Sequence, residues 1–206
     1  MRDETISGFL EQLAGRVPAP GGGAVAALHA AQAAALLGMV ARYSTGEKYA
    51  AHAAVIGRVT AGTDELRERA LRLAEEDAAA FTAVTDAYKL PRDGDQAKAA
   101  RSAAIAEALV GAGRAPAAVI SVAADVVGFA EELLPVGNRN VVTDVAAAAE
   151  AARAAATTAR VNVEINLGGI KDERVRAELT AETDRVDAVA ARAEQVTAAV
   201  RQEIAK

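Results

Sequence analysis

The sequence predicts an all-α protein, a bundle of long, mostly antiparallel helices. Three observations carry that expectation. Apolar residues recur every three to four positions through most of the chain, and no stretch alternates apolar with polar as a half-buried strand would. Hydrophobic residues make up 52% of the chain but aromatics only 3%, and the alanine that supplies much of the rest favours helix and lets helices pack closely. Proline and glycine cluster in a few short stretches, which marks turns between long elements. At 206 residues the chain can bury one sizeable core, so residues 1–206 are expected to form a single domain.

In chain order, Ile6, Phe9, Leu10 and Leu13 share a helical face, which predicts a short amphipathic helix over about Asp3–Ala14 with Asp3 as its N-cap. The stretch Pro18-Ala19-Pro20-Gly21-Gly22-Gly23 follows. Its prolines hold the backbone extended, and its glycines remove every Cβ, so a turn can form and a ligand can approach the main chain. An apolar helix is expected from Ala24 to Tyr43, broken by Ser44-Thr45-Gly46. From Glu47 to Lys89 there is no proline, and Val55, Ile56, Val59, Leu66, Leu73, Phe81 and Val84 keep helical spacing. That predicts one helix about 60 Å long at ~1.5 Å per residue, with Gly57 and Gly62 as candidate bends and Leu90-Pro91 as its end. Arg92-Asp93-Gly94-Asp95 reads as a turn. Helices are then expected over Gln96–Gly113 and Ala115–Leu134, with Pro116 in the first turn of the second. Pro135-Val136-Gly137-Asn138 interrupts, and an alanine-dense helix runs from Val141 through Val163 to an end near Gly168-Gly169. The last helix, Asp172–Ala205, carries Val175, Leu179, Val186, Val189, Val196, Val200 and Ile204 on one stripe with charges opposite.

Composition excludes several functions. A net charge of -5 argues against nucleic-acid binding driven by counterion release. With no cysteine and two histidines, His29 and His52, neither disulfides nor thiolate or histidine-rich metal sites are available. His29 reads as a core or interface histidine and His52 as solvent-facing. The charged opening Met1-Arg2-Asp3-Glu4 is unlike a signal peptide, and Ala24–Val40, interrupted by His29 and Gln32, reads as a buried helix rather than a membrane span. A cytoplasmic location is therefore expected.

Against so apolar a background, polar residues inside helices are informative. The glycine loop before a helix N-terminus offers free N–H groups and the positive end of a dipole to an anion or carbonyl oxygen. It matches neither the dinucleotide fingerprint nor a P-loop, and it serves equally as a turn. Asp77 lies among alanines well inside the long helix, either buried or on the solvated side with Glu75 and Glu76. Asp144 sits among small and apolar neighbours near a helix start, where a cap or dipole partner is the ordinary role. Gly137-Asn138-Arg139-Asn140 concentrates amides and a cation. Asn162 and Asn166, four apart, put two amides on one helix face, where they could meet a pterin-like ring edge or serve as a helix end. Arg67–Arg72 alternates with Glu65 and Glu68 as an ion-paired, solvated face.

Several of these pieces, in order, resemble the cyclodeaminase/cyclohydrolase family, which includes the cyclodeaminase half of formiminotransferase-cyclodeaminase and free-standing methenyltetrahydrofolate cyclohydrolases. The opening signature is Pro18 through Leu28, followed by Met39-Val40. Asp77 with Ala80-Phe81, then Lys89-Leu90-Pro91, form the next block. Gly137-Asn138-Arg139-Asn140 to Asp144, and Asn162-Val163-Glu164-Ile165-Asn166, form the last. The likeness spans residues 5 to 170, roughly. One departure is Ala24, where the family often has serine, so a hydroxyl role is lost there.

The resemblance implies an all-helical, typically dimeric enzyme acting on tetrahydrofolate. In the deaminase reaction the anilino nitrogen of 5-formiminotetrahydrofolate attacks the formimino carbon and ammonia leaves, giving the 5,10-methenyl cation. In the cyclohydrolase reaction water adds to that cationic carbon and the ring opens to 10-formyltetrahydrofolate. Both need a group that moves protons and an anion near an amidinium carbon, and a buried carboxylate supplies both. The expected assignment is Asp77 and Asp144 as proton-transfer and cation-stabilising residues. Asn138, Asn140 and Asn162 are expected at the pterin edge or at the water, and Pro20, Gly21, Gly22 and Gly23 against the folate ring. Lys89 or Arg139 is expected at the glutamate tail. No metal or cofactor beyond the tetrahydrofolate substrate is expected, and the partner is a second copy of the chain. No formiminotransferase domain accompanies the sequence, which tilts the expectation toward the hydrolase. A non-catalytic bundle that binds folate or protein is the alternative.

Overall fold

The computed structural model describes residues 3–206, and among them there is no strand. The charged opening residues Met1 and Arg2 lie outside the described part. Seven α-helices follow one another: α1 (Ile6–Ala14), α2 (Gly22–Arg42), α3 (Ala53–Lys89), α4 (Asp95–Leu133), α5 (Val142–Leu167), α6 (Glu173–Asp184) and α7 (Val186–Ile204).

Helix α2 is apolar apart from His29, Gln32 and Arg42, and most of it is buried, with Gln32 and Ala35 left on an exposed strip. It packs against α3, α4 and α5 at once. Ala24, Ala26, Ala27, Ala30, Ala33, Ala34 and Leu37 are fully shielded from solvent. It and α4 are long and apolar enough, by length and composition, to cross a membrane, but here α2 is the rod around which the others are laid. The α3–α4 and α4–α5 pairs pack along their lengths and are joined by short connections, so neighbours run antiparallel. Helix α7 covers α5 and α4, and its stripe of Val186, Val189, Val196 and Val200 closes the core. Alanine at the contacts lets the helices pack closely.

The boundaries differ from expectation in ways that have physical causes. The N-cap of α1 is Thr5, not Asp3: its hydroxyl accepts from the Gly8 N–H at 3.1 Å. No residue of α1 is buried, and Ile6 remains 82% exposed. Helix α2 begins at Gly22, so of the three glycines only Gly21 stays outside the helix, as its N-cap. Glu47–His52 forms a 3-10 segment, and only from Ala53 does the α-helix run on to Lys89. His52 is exposed and His29 half-buried.

The two helices expected either side of Pro116 are one, Asp95–Leu133, with buried Pro116 in its interior. Conversely the expected final helix is two, with Arg185 as a one-residue interruption between α6 and α7. Asp172 does cap α6, accepting from the Arg174 and Val175 N–H groups. The loop between α4 and α5 is tied to the end of α2. The Asn138 N–H donates to the buried Ser44 hydroxyl at 2.8 Å, and the Asn138 amide donates to the Tyr43 carbonyl at 2.8 Å.

Of the two candidate bends in α3, neither interrupts the helix. Gly62 is a close-approach site: a Cβ there would lie 2.3 Å from the Phe129 ring of α4, whereas one on Gly57 would meet nothing within 4 Å. Gly62→Ala is therefore expected to lower stability by about 1–3 kcal/mol through overpacking. Gly57→Ala is expected to raise it by about 0.5–1 kcal/mol. Urea unfolding of both variants checks this, and a smaller loss for Gly62→Ala than for Gly57→Ala would contradict the packing.

Candidate active site

A cleft of about 230 Å³ opens where the N-terminus of α2 meets the second half of α3, the middle of α4 and the C-terminal part of α5. It is lined by Pro18, Gly21, Gly22, Gly23, Asp77, Phe81, Val84, Ala112, Asn162, Ile165 and Asn166. Ligand-sized pockets run to roughly 300–1,000 Å³, so this one takes a single ring system of a larger molecule.

Asp77 is the centre of it. Helix α2 starts at a glycine that has no side chain to cap it, so its first N–H groups need an acceptor from elsewhere. The Asp77 carboxylate, reaching across from α3, takes a hydrogen bond from the Ala24 N–H. This approach needs glycine at 23, because a Cβ there would sit 2.0 Å from Asp77 Oδ1. Two forces act on the carboxyl in opposite directions. Burial raises its pKa above the ordinary aspartate value, the Ala24 hydrogen bond lowers it, and burial is the larger. A carboxyl whose pKa is raised by burial in a cleft is a candidate proton-transfer group.

Across the cleft, α5 presents two amides. Asn162 Nδ2 donates to the Thr158 carbonyl at 2.8 Å, and Asn166 Nδ2 to the Asn162 carbonyl at 2.8 Å. Only the NH₂ end of an amide can donate to a carbonyl, so both Oδ1 atoms remain as acceptors. A Cβ on Gly22 would lie 3.3 Å from Asn162 Nδ2, so the start of α2 stands close beside this residue. The polar side chains of the cleft thus offer a carboxylate and two amide oxygens, and Phe81, Val84 and Ile165 supply an apolar wall. Such a set suits a planar ligand that is cationic or rich in N–H groups.

The expected residues divide into two groups. Asp77, Gly21, Gly22, Gly23 and Asn162 come together here, while Pro20 is buried behind the turn and Pro18 lines the cleft instead. Asp144 does not share the cleft. It lies in the first turn of α5, 18 positions before Asn162, which is about 27 Å along the helix at ~1.5 Å per residue. There it faces the positive end of the helix dipole. Asn138 is occupied in fastening its loop to α2, and its Oδ1 accepts from the Asn140 N–H at 3.0 Å. Arg139 forms an ion pair with Glu203 of α7. Lys89 pairs with Asp86 at 2.9 Å on the exposed end of α3. Within one chain none of these five lines the cleft.

Phe81 and Val84 line the cleft although the sequence marks neither as a ligand contact; they fall four and seven positions after Asp77 and hence on its helix face. Ile165 follows Asn162 in the same way, beside Asn166, whose amide shares that face. A larger groove of about 990 Å³ runs over α3, α4 and the α6–α7 junction. Among its lining residues, Glu132 pairs with Arg58 at 2.5 Å and Arg192 with Glu131 at 2.5 Å. The expected ion pairing of Arg67 is also present, to Asp64 at 3.1 Å. Among the described residues no group of three or more His, Cys, Asp or Glu could hold a metal ion.

The chain is similar to known proteins along most of its length. The family model described as formiminotransferase-cyclodeaminase matches residues 5–185. A methenyltetrahydrofolate cyclohydrolase from Methylorubrum extorquens is 40% identical over 177 residues, 85% of each chain. The formimidoyltransferase-cyclodeaminase of Sus scrofa is 33% identical over 172 residues, and the match covers 83% of this chain but only 32% of that protein. The crystal structure of a formiminotetrahydrofolate cyclodeaminase from Thermotoga maritima superposes with a TM-score of 0.87 at 30% identity, covering 100% of this chain and 99% of the other. The order of the motifs, the all-helical fold and these likenesses lead to one conclusion: the chain belongs to the formiminotransferase-cyclodeaminase family, by its cyclodeaminase part.

Proposed function

We propose that the protein is a 5,10-methenyltetrahydrofolate cyclohydrolase, with Asp77 as the residue that moves the proton. The observation that carries this reading is the Asp77 carboxyl, desolvated and held on the start of α2 in a cleft whose other polar side chains are acceptors. The 40% identical relative named for that activity, which matches this chain over most of its own length, supports hydrolysis ahead of deamination.

In the proposed reaction the pteridine lies over the bare backbone of Gly21–Gly23, with Asn162 at its edge. The methenyl carbon carries positive charge shared by two nitrogens, and the Asp77 carboxylate stabilises it electrostatically. Water adds to that carbon and gives a proton to Asp77. The adduct then breaks its bond to N5, N5 takes the proton from Asp77, and the hydroxyl proton is released as the formyl carbonyl forms on N10. One water is consumed and one proton is released overall. The carbon is already an electrophile, so the reading calls for no metal or redox cofactor.

The test is to incubate the protein with 5,10-methenyl- and 5-formiminotetrahydrofolate in parallel. Loss of the methenyl chromophore, unchanged by chelator, is expected from the first, and no ammonia from the second. Ammonia release at a comparable rate would make the protein a cyclodeaminase. Asp77→Asn is expected to lower kcat by about 10²–10⁴, the usual worth of positioned proton transfer. Gly23→Ala, which displaces the carboxylate, is expected to fall in the same range.

Linkage gives a second expectation for Asp77. Its pKa in the folded protein lies above the unfolded value, so between the two values the folded state binds more protons. Stability from this group is complete below the unfolded pKa and is lost as pH rises through the folded one. Asparagine caps a helix as well as aspartate does, so Asp77→Asn is expected to keep the fold and to remove this fall. Unfolding free energies measured from pH 4 to 8 check it: a variant that loses stability more steeply than the parent as pH rises would refute the sign.

We also infer a homodimer. The apolar stripe of α1 and the rim of the cleft leave Leu10 at 53%, Phe81 at 49% and Ile165 at 79% exposure, and a second copy is the occupant that the family's habit suggests. Light scattering is expected to give a mass near twice 21.0 kDa; a mass of one chain at micromolar concentration would remove the inference.

A further inference from the structure

Pro116 lies in the interior of α4, where it has no N–H to give to the carbonyl four residues earlier. That carbonyl belongs to Ala112, a buried residue that also lines the cleft. A carbonyl orphaned in this way costs stability unless another donor reaches it. The donor is Asn166 of α5, whose Nδ2 lies 3.3 Å from the Ala112 oxygen while also holding the Asn162 carbonyl at 2.8 Å. The proline therefore opens an acceptor on the flank of one helix, and an amide from the next helix closes it.

We propose that Asn166 is a positioning residue for the folate reaction and that Pro116 is its counterpart. The proposal rests on the function proposed above. The Asn166–Ala112 bond fixes how far α5 stands along α4. One turn before Asn166, Asn162 lies on the same face and stands beside Gly22 at the start of α2, where an added Cβ would come 3.3 Å from its Nδ2. The start of α2 in turn carries the Ala24 N–H that holds Asp77. The series of neighbours runs from Pro116, which itself lies outside the cleft, through Ala112, Asn166, Asn162 and the start of α2 to the Asp77 carboxyl.

A double-mutant cycle of Asn166→Ala and Pro116→Ala tests this, because Pro116→Ala returns a helix N–H to Ala112 and should not impair folding of α4. Asn166→Ala in the parent is expected to lower kcat at least tenfold and to shift the acid limb of the kcat–pH profile, which reports Asp77. In the Pro116→Ala background the same change is expected to cost less than threefold and to leave that limb in place. Equal costs in the two backgrounds, or less than threefold in the parent, would overturn the proposal and make Asn166 either a direct substrate contact or dispensable. The urea midpoints of the four proteins separate the proposal from the function it rests on. Non-additive midpoints without turnover of either folate refute the folate reading and keep the interlock. Additive midpoints refute the interlock whatever the substrate.

Discussion

The architecture of the cleft depends on one contact, the Asp77 carboxyl on the N-terminus of α2. Helix α2 is the central rod, and it starts at a residue that cannot cap it. A carboxylate from α3 does so instead, and this requires that nothing project from position 23. A tertiary cap of this kind joins two tasks in one group. It satisfies an N–H of the core helix, and it holds an acid–base group in a place where burial raises its pKa by more than the hydrogen bond lowers it. The fold and the chemistry are therefore not separable at this point.

Close packing of alanine makes that contact possible. Large core side chains would hold α2 and α3 too far apart for a short aspartate to span the gap. With fully buried Ala26, Ala27, Ala30, Ala33 and Ala34 along α2, backbones approach until a carboxylate on one helix reaches the main chain of the next. The same close approach appears at Gly62 against Phe129 and at Gly23 against Asp77.

Periodicity made the helices legible, because three-to-four spacing survives in every long segment. It did not make their ends legible where tertiary partners decide. Pro116 reads as a helix start, since locally it costs a hydrogen bond, and only Asn166, 50 positions later, restores what it removes. Gly22 and Gly23 read as loop but are helical, because the reason for them is the neighbour, not the turn. Arg185 carries no breaker signal and still interrupts α6–α7. At the site, Asp77 stood out as a charge among alanines, and its face residues Phe81 and Val84 followed from the same helix. Asp144, Asn138, Arg139, Asn140 and Lys89 looked equivalent to it because a sequence gives order along the chain, not distance. Asn138 is a loop fastener, Arg139 an ion-pair partner, and Asp144 lies at the far end of the same helix that carries Asn162.

The alanine rod has an evolutionary corollary. From an alanine codon, single base changes lead to glycine, serine, threonine, valine, proline, aspartate or glutamate. At a position with no exposed surface between closely spaced backbones, nearly all of these are too large, too polar or too disruptive, and glycine loosens the helix. Drift along the inner faces of α2 and α5 is accordingly confined to a narrow set of neighbours, while the charged outer faces of α6 and α7 are free to change. Descendants of this gene should diverge on the outside and keep a nearly fixed record of the axis.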